Sequence, residues 1–182
     1  MNLQENIARI KVIMEANQVK PVHEVSDELY DAIKNIHTND RIIMSSNSEL
    51  TFNQVPIEKQ SQGAKPRGLW YGVGPSWIDW VRSEMPDWEV DNIFKIDVNQ
   101  DMMLTITNSE ELLAFNKKYG IKTEYYNIID WAKVASDYGG IEISPYNYKL
   151  RMEREVFWYY GWDVASGCIW DEGIVTLSLI HI

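Results

Sequence analysis

Cysteine, histidine and long apolar runs are scarce in this chain of 182 residues, and each scarcity excludes a class of protein. The single cysteine, Cys168, excludes an internal disulfide and a cysteine-based zinc cluster, and it favours a reducing cytoplasm. No apolar run reaches the roughly 18 residues that a membrane-spanning helix needs, and no segment resembles a secretory signal. The three histidines form no HExxH or triad pattern, so we expect neither a metal nor a Ser-His-Asp hydrolase.

Basic residues are also few, with 17 lysines and arginines against 27 acidic residues and a net charge of −10. Proteins that bind nucleic acid without sequence preference carry a basic face or a high pI, so this class is disfavoured. There is no GxGxxG and no GxxxxGK, so a Rossmann or P-loop nucleotide site has no fingerprint. A small ligand or a basic partner fits the charge better, without a membrane.

Tryptophan, by contrast, is abundant, with eight residues in three groups along the chain. The members are Trp70, Trp77, Trp80 and Trp88, then Trp131, and finally Trp158, Trp162 and Trp170. Their large apolar rings suit a hydrophobic core. The same rings could instead form a stacking pocket for a planar or sugar-like ligand, and composition alone does not decide between the two.

The periodicity of apolar residues predicts an α+β fold. We expect an N-terminal helical segment over residues 1–40, followed by a mixed, largely antiparallel split sheet with flanking helices over residues 41–182. The predicted helices are Ser76–Glu84, Ser109–Tyr119 and Ile128–Tyr138. The predicted strands are Arg41–Met44, Glu49–Val55, Leu69–Tyr71, Ile93–Val98, Met102–Thr107, Gly140–Ser144, Phe157–Asp163 and Gly173–Leu179.

The segment Lys65–Trp80 combines features of a binding loop. A basic stretch with Lys65 and Arg67 enters a short strand, and Gly72 and Gly74 then allow a sharp bend. Ser76 is placed to cap the following helix, whose N-terminus favours an anion. The flat faces come from Trp70, Tyr71, Trp77 and Trp80. A plain strand-turn-helix corner with core tryptophans is the competing interpretation.

A second candidate segment, Tyr138–Tyr146, places Glu142 between two isoleucines in a short strand. Because side chains alternate along a strand, the carboxylate lies on the face opposite Ile141 and Ile143. A Gly-Gly pair precedes the strand and leaves room for a ligand. The alternative is a glutamate that faces solvent.

Taken together, Gly68-Leu-Trp-Tyr71 with the helix from Ser76, and Gly-Ile-Glu142-Ile, resemble the ADP-ribosyltransferase fold in its poly-ADP-ribose polymerase and tRNA 2′-phosphotransferase branches. The resemblance implies an enzyme that cleaves NAD and transfers ADP-ribose to a host protein or nucleic acid. Its first strand usually supplies an arginine or histidine to NAD. Here Arg41 stands at the beginning of that strand and no histidine follows.

On this resemblance, Glu142 and Tyr71 are the candidate catalytic residues. Glu142 would bind a ribose hydroxyl and stabilise the oxocarbenium as nicotinamide leaves, and Trp70 or Tyr71 would stack on the nicotinamide. The other residues implied in NAD binding are Lys65 or Arg67 near the pyrophosphate, Ser46, Ser48 or Arg67 in the role of the missing histidine, and Ser76, Trp77, Trp162 and Asp163 along the same cleft.

The N-terminal segment Met1–Glu15 resembles the short amphipathic leaders of proteins packaged into the heads of tailed bacteriophages. A head protease cuts such leaders after [IL]-x-Glu and before a small residue, and Ile13-Met-Glu-Ala16 matches that rule. The resemblance implies a virion protein released into the host cytoplasm; an ordinary terminal helix is the alternative. Two further functions stay open, namely a carbohydrate- or nucleoside-binding module without catalysis and a non-catalytic virion or anti-defence protein that binds a basic partner.

Overall fold

The computed structural model describes residues 33–90 and 92–181. The segment Met1–Glu15 that resembles a leader, and most of the predicted helical segment over residues 1–40, lie outside these residues. From Asn35 onward the chain forms one compact unit. The predicted domain boundary after residue 40 and the cleavage after Glu15 stay predictions.

Strands and short helices follow one another without a regular βαβ alternation. The strands are β1 (Arg41–Ser45), β2 (Gln62–Gly63), β3 (Leu69–Val73), β4 (Asn92–Val98), β5 (Met103–Ile106), β6 (Gly120–Lys122), β7 (Asn127–Asp130), β8 (Gly140–Ile143), β9 (Ser166–Ile169) and β10 (Val175–His181). The α-helices of the described part are α1 (Ser76–Glu84), α2 (Ser109–Tyr119) and α3 (Trp131–Asp137). The 3-10 helices there are Ile57–Lys59, Pro86–Trp88, Gln100–Met102, Arg154–Trp162 and Glu172–Ile174.

Two sheets form the framework. The larger has seven strands in the order β10-β4-β1-β3-β9-β8-β5, and the smaller has three in the order β2-β7-β6. The β5–β8 pair is parallel, and the other pairs in both sheets are antiparallel. This arrangement confirms the predicted α+β class with a mixed, largely antiparallel split sheet. None of the described helices is long and apolar enough to cross a bilayer.

Both faces of the large sheet are buried over its central strands, which explains why β8 and β9 carry no exposed residue. On one face, α2, α3 and the helix Arg154–Trp162 pack against Ile141, Ile143 and Cys168. On the other face a second cluster contains Ile43, Tyr71, Val73, Phe94, Ile96, Met103, Ile169 and Ile174. Burial of these apolar surfaces is the main favourable contribution to folding.

Several of the tryptophans fill the core, as one of the two interpretations expected. Trp131, Trp158 and Trp170 are at most 3% exposed. Each indole N–H donates to an internal acceptor: Trp131 to the Gly63 carbonyl, Trp158 to the Asn116 side chain, and Trp170 to the Tyr138 carbonyl. A buried indole needs such a partner, since an unsatisfied N–H would be costly. The core interpretation is therefore correct for these three residues.

The predicted strand Phe157–Asp163 is wrong, because residues 154–162 form a 3-10 helix. The aromatic run favours a strand by propensity, but its buried members are Val156, Trp158, Tyr159 and Trp162. The backbone is kinked at Val156, and Tyr159 and Trp162 beyond it are three residues apart, which is one turn of a 3-10 helix and places them on the same side. Tertiary packing against α2 and α3 overrides the local preference.

Two other predictions need correction. The predicted helix Ile128–Tyr138 begins only at Trp131, because residues 127–130 belong to β7 and the Asp130 side chain caps the helix by accepting from the Lys133 N–H. The alternating segment Glu49–Val55 forms no strand. Its apolar members Leu50 and Phe52 instead cover the second core cluster. The helices α1 and α2 begin and end where the sequence predicts.

Gly167 on β9 leaves room for a side chain from a neighbouring strand to cross the sheet. It lies on β9 directly between Tyr71 on β3 and Glu142 on β8. A Cβ atom at this position would overlap Cζ and Oη of Tyr71. The absence of a side chain at Gly167 therefore lets the tyrosine ring cross the strand.

We expect Gly167→Ala to lower the free energy of unfolding by about 3 kcal/mol, since the overlap forces Tyr71 out of place in a close-packed core. Urea titration followed by circular dichroism measures this change. Gly63→Ala is the matched control, because a Cβ at Gly63 would meet no atom within 4 Å. Equal stability of the two variants would contradict the proposed role of Gly167.

Candidate functional site

Glu142 and Tyr71, the two predicted catalytic residues, are in direct contact. Tyr71 and Glu142 both pair with Gly167, so their side chains lie in one row across three strands. The tyrosine Oη donates to the Glu142 Oε2 over 2.8 Å. Both residues are buried, with 3% of Tyr71 and 6% of Glu142 exposed. The predicted meeting of the aromatic strand and the glutamate strand therefore occurs in the interior.

Arg41 completes this cluster from the beginning of β1. Its Nε donates to Glu142 Oε2 over 2.7 Å, and its Nη2 donates to Oε1 over 3.2 Å. Arg41 pairs with Val73, two residues from Tyr71 and on the same face of β3. Such a two-pronged ion pair is among the stronger side-chain interactions. We call these three residues the Arg41–Tyr71–Glu142 cluster.

Burial and charge act together on the pKa of Tyr71 and in opposite directions on that of Arg41. Burial raises the pKa of the Tyr71 hydroxyl well above its usual range, and the negative charge of Glu142 raises it further. Burial lowers the pKa of Arg41, but the hydrogen bond and the negative charge of Glu142, with smaller contributions from Tyr71, together outweigh it and the net direction is upward. The arginine therefore stays charged and the tyrosine stays protonated, as a donor to the carboxylate.

The prediction from sequence assigned no role to Arg41. It named Ser46, Ser48 or Arg67 as the residue that takes the place of the missing histidine. Ser46 is exposed beyond the end of β1. Arg67 is also exposed, and its main chain is held by the Gln60 side chain through two hydrogen bonds. The register of β1 against β3 identifies Arg41, and no local pattern in the sequence reports that register.

A cavity of about 280 Å³ lies beside β3, and we call it the tryptophan cavity. It is lined by Ile42, Ile43, Met44, Lys65, Trp70, Tyr71, Trp77, Trp162 and Ser166. Four of the residues implied in NAD binding, namely Lys65, Trp70, Trp77 and Trp162, are thus brought together. Ser166 is held by donating its hydroxyl to the Val164 carbonyl over 3.0 Å.

Trp70 presents a partly accessible stacking surface to this cavity. Its ring contacts the edge of Trp162, with centroids 4.9 Å apart, and it is only partly buried. The Lys65 ammonium lies 5.3 Å from the centroid of the Trp70 ring. A cation over an exposed ring gains roughly 0.5–1 kcal/mol, so a flat ligand could displace this exposed lysine at small cost.

The Trp70 and Tyr71 side chains leave β3 on opposite faces, because consecutive side chains on a strand alternate. Tyr71 lines the tryptophan cavity and also belongs to the Arg41–Tyr71–Glu142 cluster. Glu142 is not among the residues that line the cavity. The structure therefore joins Glu142 to Tyr71 but separates it from Trp70, Trp77 and Trp162.

Two further residues implied in NAD binding lie close to the cavity without lining it. Ser76 is the first residue of α1 rather than its cap, and its hydroxyl donates to the Ala165 carbonyl over 2.8 Å. The predicted capping role of Ser76 is therefore wrong, because Pro75 occupies the cap position. Asp163 follows Trp162 with φ 64° and ψ −46°, and the Val164 N–H donates across it to the Trp162 carbonyl over 2.7 Å.

The geometry of Asp163 is a γ-turn with a positive φ, a rare and strained conformation for a residue other than glycine. Burial raises the pKa of its carboxyl, although the charges of Lys65 and Arg151 oppose this change. The Asp163 carboxyl, which follows Trp162 in the chain, is thus close enough to Lys65 and Arg151 to be affected by their charges.

A second cavity, of about 260 Å³, is lined by residues 122–127 with Arg154 and Glu155. It contains none of the residues that sequence analysis singled out. Within residues 33–90 and 92–175, no group of three or more His, Cys, Asp or Glu side chains could hold a metal ion. Cys168 is fully buried, and burial raises the pKa of its thiol well above its usual range.

Comparison with protein-family models, with curated proteins and with solved structures finds no match for this chain. The arrangement of side chains is therefore what bears on its function.

We expect Glu142→Gln to lower the free energy of unfolding by about 2–3 kcal/mol, since it leaves the half-buried charge of Arg41 without its counter-ion. Thermal and urea unfolding measure the loss. Glu89→Gln is the matched control, because it removes the same charge from the Arg82–Glu89 pair, whose side chains are 29% and 20% exposed. That more exposed pair contributes at most about 1 kcal/mol. A loss at Glu142 no larger than at Glu89 would contradict the structural role of the cluster.

Proposed function

We propose that this protein binds a small ligand with one flat or sugar ring in the tryptophan cavity. The observation that carries the proposal is the convergence of Trp70, Trp77 and Trp162 with Lys65 around one space of about 280 Å³. Lys65, Trp70 and Trp77 belong to one segment of the chain, and Trp162 comes from a distant one. Small-molecule sites combine mostly apolar walls with a few placed polar groups, and the tryptophan cavity has this character.

The size of the cavity limits the ligand. Pockets that enclose drug-sized molecules have volumes of roughly 300–1,000 Å³, and the tryptophan cavity lies just below that range. One nucleoside or one sugar ring with its substituents suits such a space. A whole dinucleotide would leave one half outside, so NAD is supported less well than a mononucleoside.

The aromatic lining supports a ring ligand over an aliphatic one. Stacking of a base on an aromatic side chain contributes roughly 1–3 kcal/mol and tolerates different bases. The Trp70 ring is partly exposed, and the Lys65 ammonium lies 5.3 Å from its centroid, so a ligand that displaces the ammonium can stack there. Lys65 and Ser166 add polar groups at the wall that can bind ring hydroxyls or ring nitrogens.

The test is titration of the protein with adenosine and with glucose, followed by tryptophan fluorescence and calorimetry. We expect saturable binding of at least one of them, and Trp70→Ala should weaken it about tenfold because it removes the stacking surface. Tyr125→Ala is the control, since Tyr125 is 67% exposed and lines the other cavity. Binding that depends on Tyr125 and not on Trp70, or no binding at all, would contradict the proposal.

A second candidate function is ADP-ribosyl transfer from NAD to a host macromolecule, supported by the contact of Tyr71 with Glu142. A carboxylate beside a developing oxocarbenium ion stabilises it electrostatically. In this protein Glu142 would first have to exchange Arg41 for the substrate, since both of its oxygens are engaged. The origin in a phage virion and the acceptor stay predictions from sequence.

Incubation with NAD and measurement of released nicotinamide tests this second candidate. Release should fall at least a hundredfold in Glu142→Gln if the carboxylate stabilises the transition state. Circular dichroism of the Glu142→Gln variant shows whether any loss follows from unfolding. No release by the unaltered protein, or equal release by the Glu142 variant, would exclude this function.

A further inference from the structure

Beside the tryptophan cavity lies a second group of polar side chains that the proposed function does not use. Tyr146 and Arg151 belong to the segment after β8, and Tyr160 and Asp163 belong to the segment around Trp162. The guanidinium of Arg151 lies 4.8 Å from the ring centroid of Tyr160 and 5.8 Å from that of Tyr146. Two aromatic rings, rather than a carboxylate, thus position the arginine.

Two buried donors in this group lack partners. Among the described residues, neither the Tyr146 hydroxyl nor the Arg151 Nε finds a hydrogen-bond partner. Tyr146 is only 8% exposed, and burial raises the pKa of its hydroxyl to about 12, so it remains a donor at neutral pH. An unsatisfied buried donor costs roughly 1–3 kcal/mol, which is unusual in a stable fold and calls for an acceptor.

The group adjoins the cavity through Lys65 and Asp163. Lys65 lines the cavity, and its Cε would lie 3.6 Å from a Cβ at Gly161, between Tyr160 and Trp162. The charges of both Lys65 and Arg151 act on the Asp163 carboxyl. Within the described residues, neither cation forms an ion pair with it. Two cations against one acid give a local positive charge on a protein whose net charge is −10.

From this arrangement we infer that Arg151, Tyr146 and Lys65 form an anion subsite at the edge of the tryptophan cavity, and that the ligand is a ring that carries a phosphate group. The inference rests on the proposed ring binding in the cavity. The ring stacks on Trp70, and the phosphate accepts hydrogen bonds from the guanidinium fork and the ammonium. Arginine suits this role because its planar donors match phosphate oxygens. Nucleotides and sugar phosphates share this chemistry.

Two matched pairs of probes test the subsite and distinguish its sources, namely adenosine with AMP and glucose with glucose 6-phosphate. We expect the phosphorylated member of one pair to bind about tenfold more tightly than its parent, since a charged hydrogen-bonded contact exceeds a neutral one. Calorimetry at fixed ionic strength measures both affinities. The pair that shows the preference identifies a nucleotide or a sugar phosphate.

Arg151→Leu should remove most of the tenfold preference and leave the affinity for the unphosphorylated parent within about twofold, because it deletes the phosphate contact alone. Arg67→Leu is the matched control, since Arg67 is an exposed arginine near Lys65 in sequence that does not line the cavity. Arg151→Lys keeps the charge without the planar fork and should retain part of the preference. If Arg151→Leu does not fold, the phosphate preference of Arg151→Lys is measured instead.

Equal binding of parent and phosphorylated probe would overturn the anion subsite and leave ring binding in place. A preference lost in Arg67→Leu and kept in Arg151→Leu would also overturn the subsite. Failure of all four probes to bind would instead contradict ring binding in the cavity, and the subsite with it.

Discussion

The bidentate ion pair of Arg41 with Glu142, together with the Tyr71 hydroxyl, connects four adjacent strands of the large sheet. Arg41 contributes from β1, Tyr71 from β3 and Glu142 from β8, while Gly167 on β9 leaves the space between them. A buried carboxylate is tolerated only when its charge is compensated and its oxygens accept hydrogen bonds. These requirements tie the register of all four strands to one another, because a one-residue slip would place a partner on the wrong face.

That register also places the tryptophan cavity. With Tyr71 directed to the ion pair, Trp70 has to point to the other side of β3, where it meets Trp162. The cavity thus adjoins the cluster at Tyr71, whereas Arg41 and Glu142 do not line it. A single catalytic crevice that contains both Trp70 and Glu142 is not formed, which is why ring binding is better supported than transfer chemistry at the carboxylate.

Asp163 has a strained backbone conformation directly after Trp162, which lines the tryptophan cavity. The γ-turn ends the helix Arg154–Trp162, brings Trp162 under Trp70 and leaves an acid between two cations. A conformation of this kind costs of order 1–3 kcal/mol and persists only where the surrounding structure fixes it. The hydroxyl bonds of Ser76 and Ser166 to the carbonyls of residues 165 and 164 supply that support. The residues that follow Trp162 therefore support the fold and, through Ser166, also line the tryptophan cavity.

The helices α1 and α2 could be predicted from the sequence to the residue, because the prolines around α1, the glycine after α2 and the apolar periodicity act locally. The same holds for the α+β class, for most strands and for the opposite faces of Ile141 and Glu142. The helix Arg154–Trp162 could not be predicted by propensity, and the partner of Glu142 could not be predicted at all. Aromatic residues favour strands in isolation, and only packing against α2 and α3 reverses this.

By itself, then, the amino-acid sequence determined where the chain bends, which side chains alternate and that aromatic residues and one isolated glutamate are available. Tertiary structure alone decided that Arg41 meets Glu142, that Gly167 lies beneath Tyr71 and that Lys65, Trp70 and Trp162 surround one cavity. The reason is physical: capping and periodicity depend on neighbours a few residues apart. Strand order and register depend on pairing between segments up to about a hundred residues apart, as Arg41 and Glu142 are.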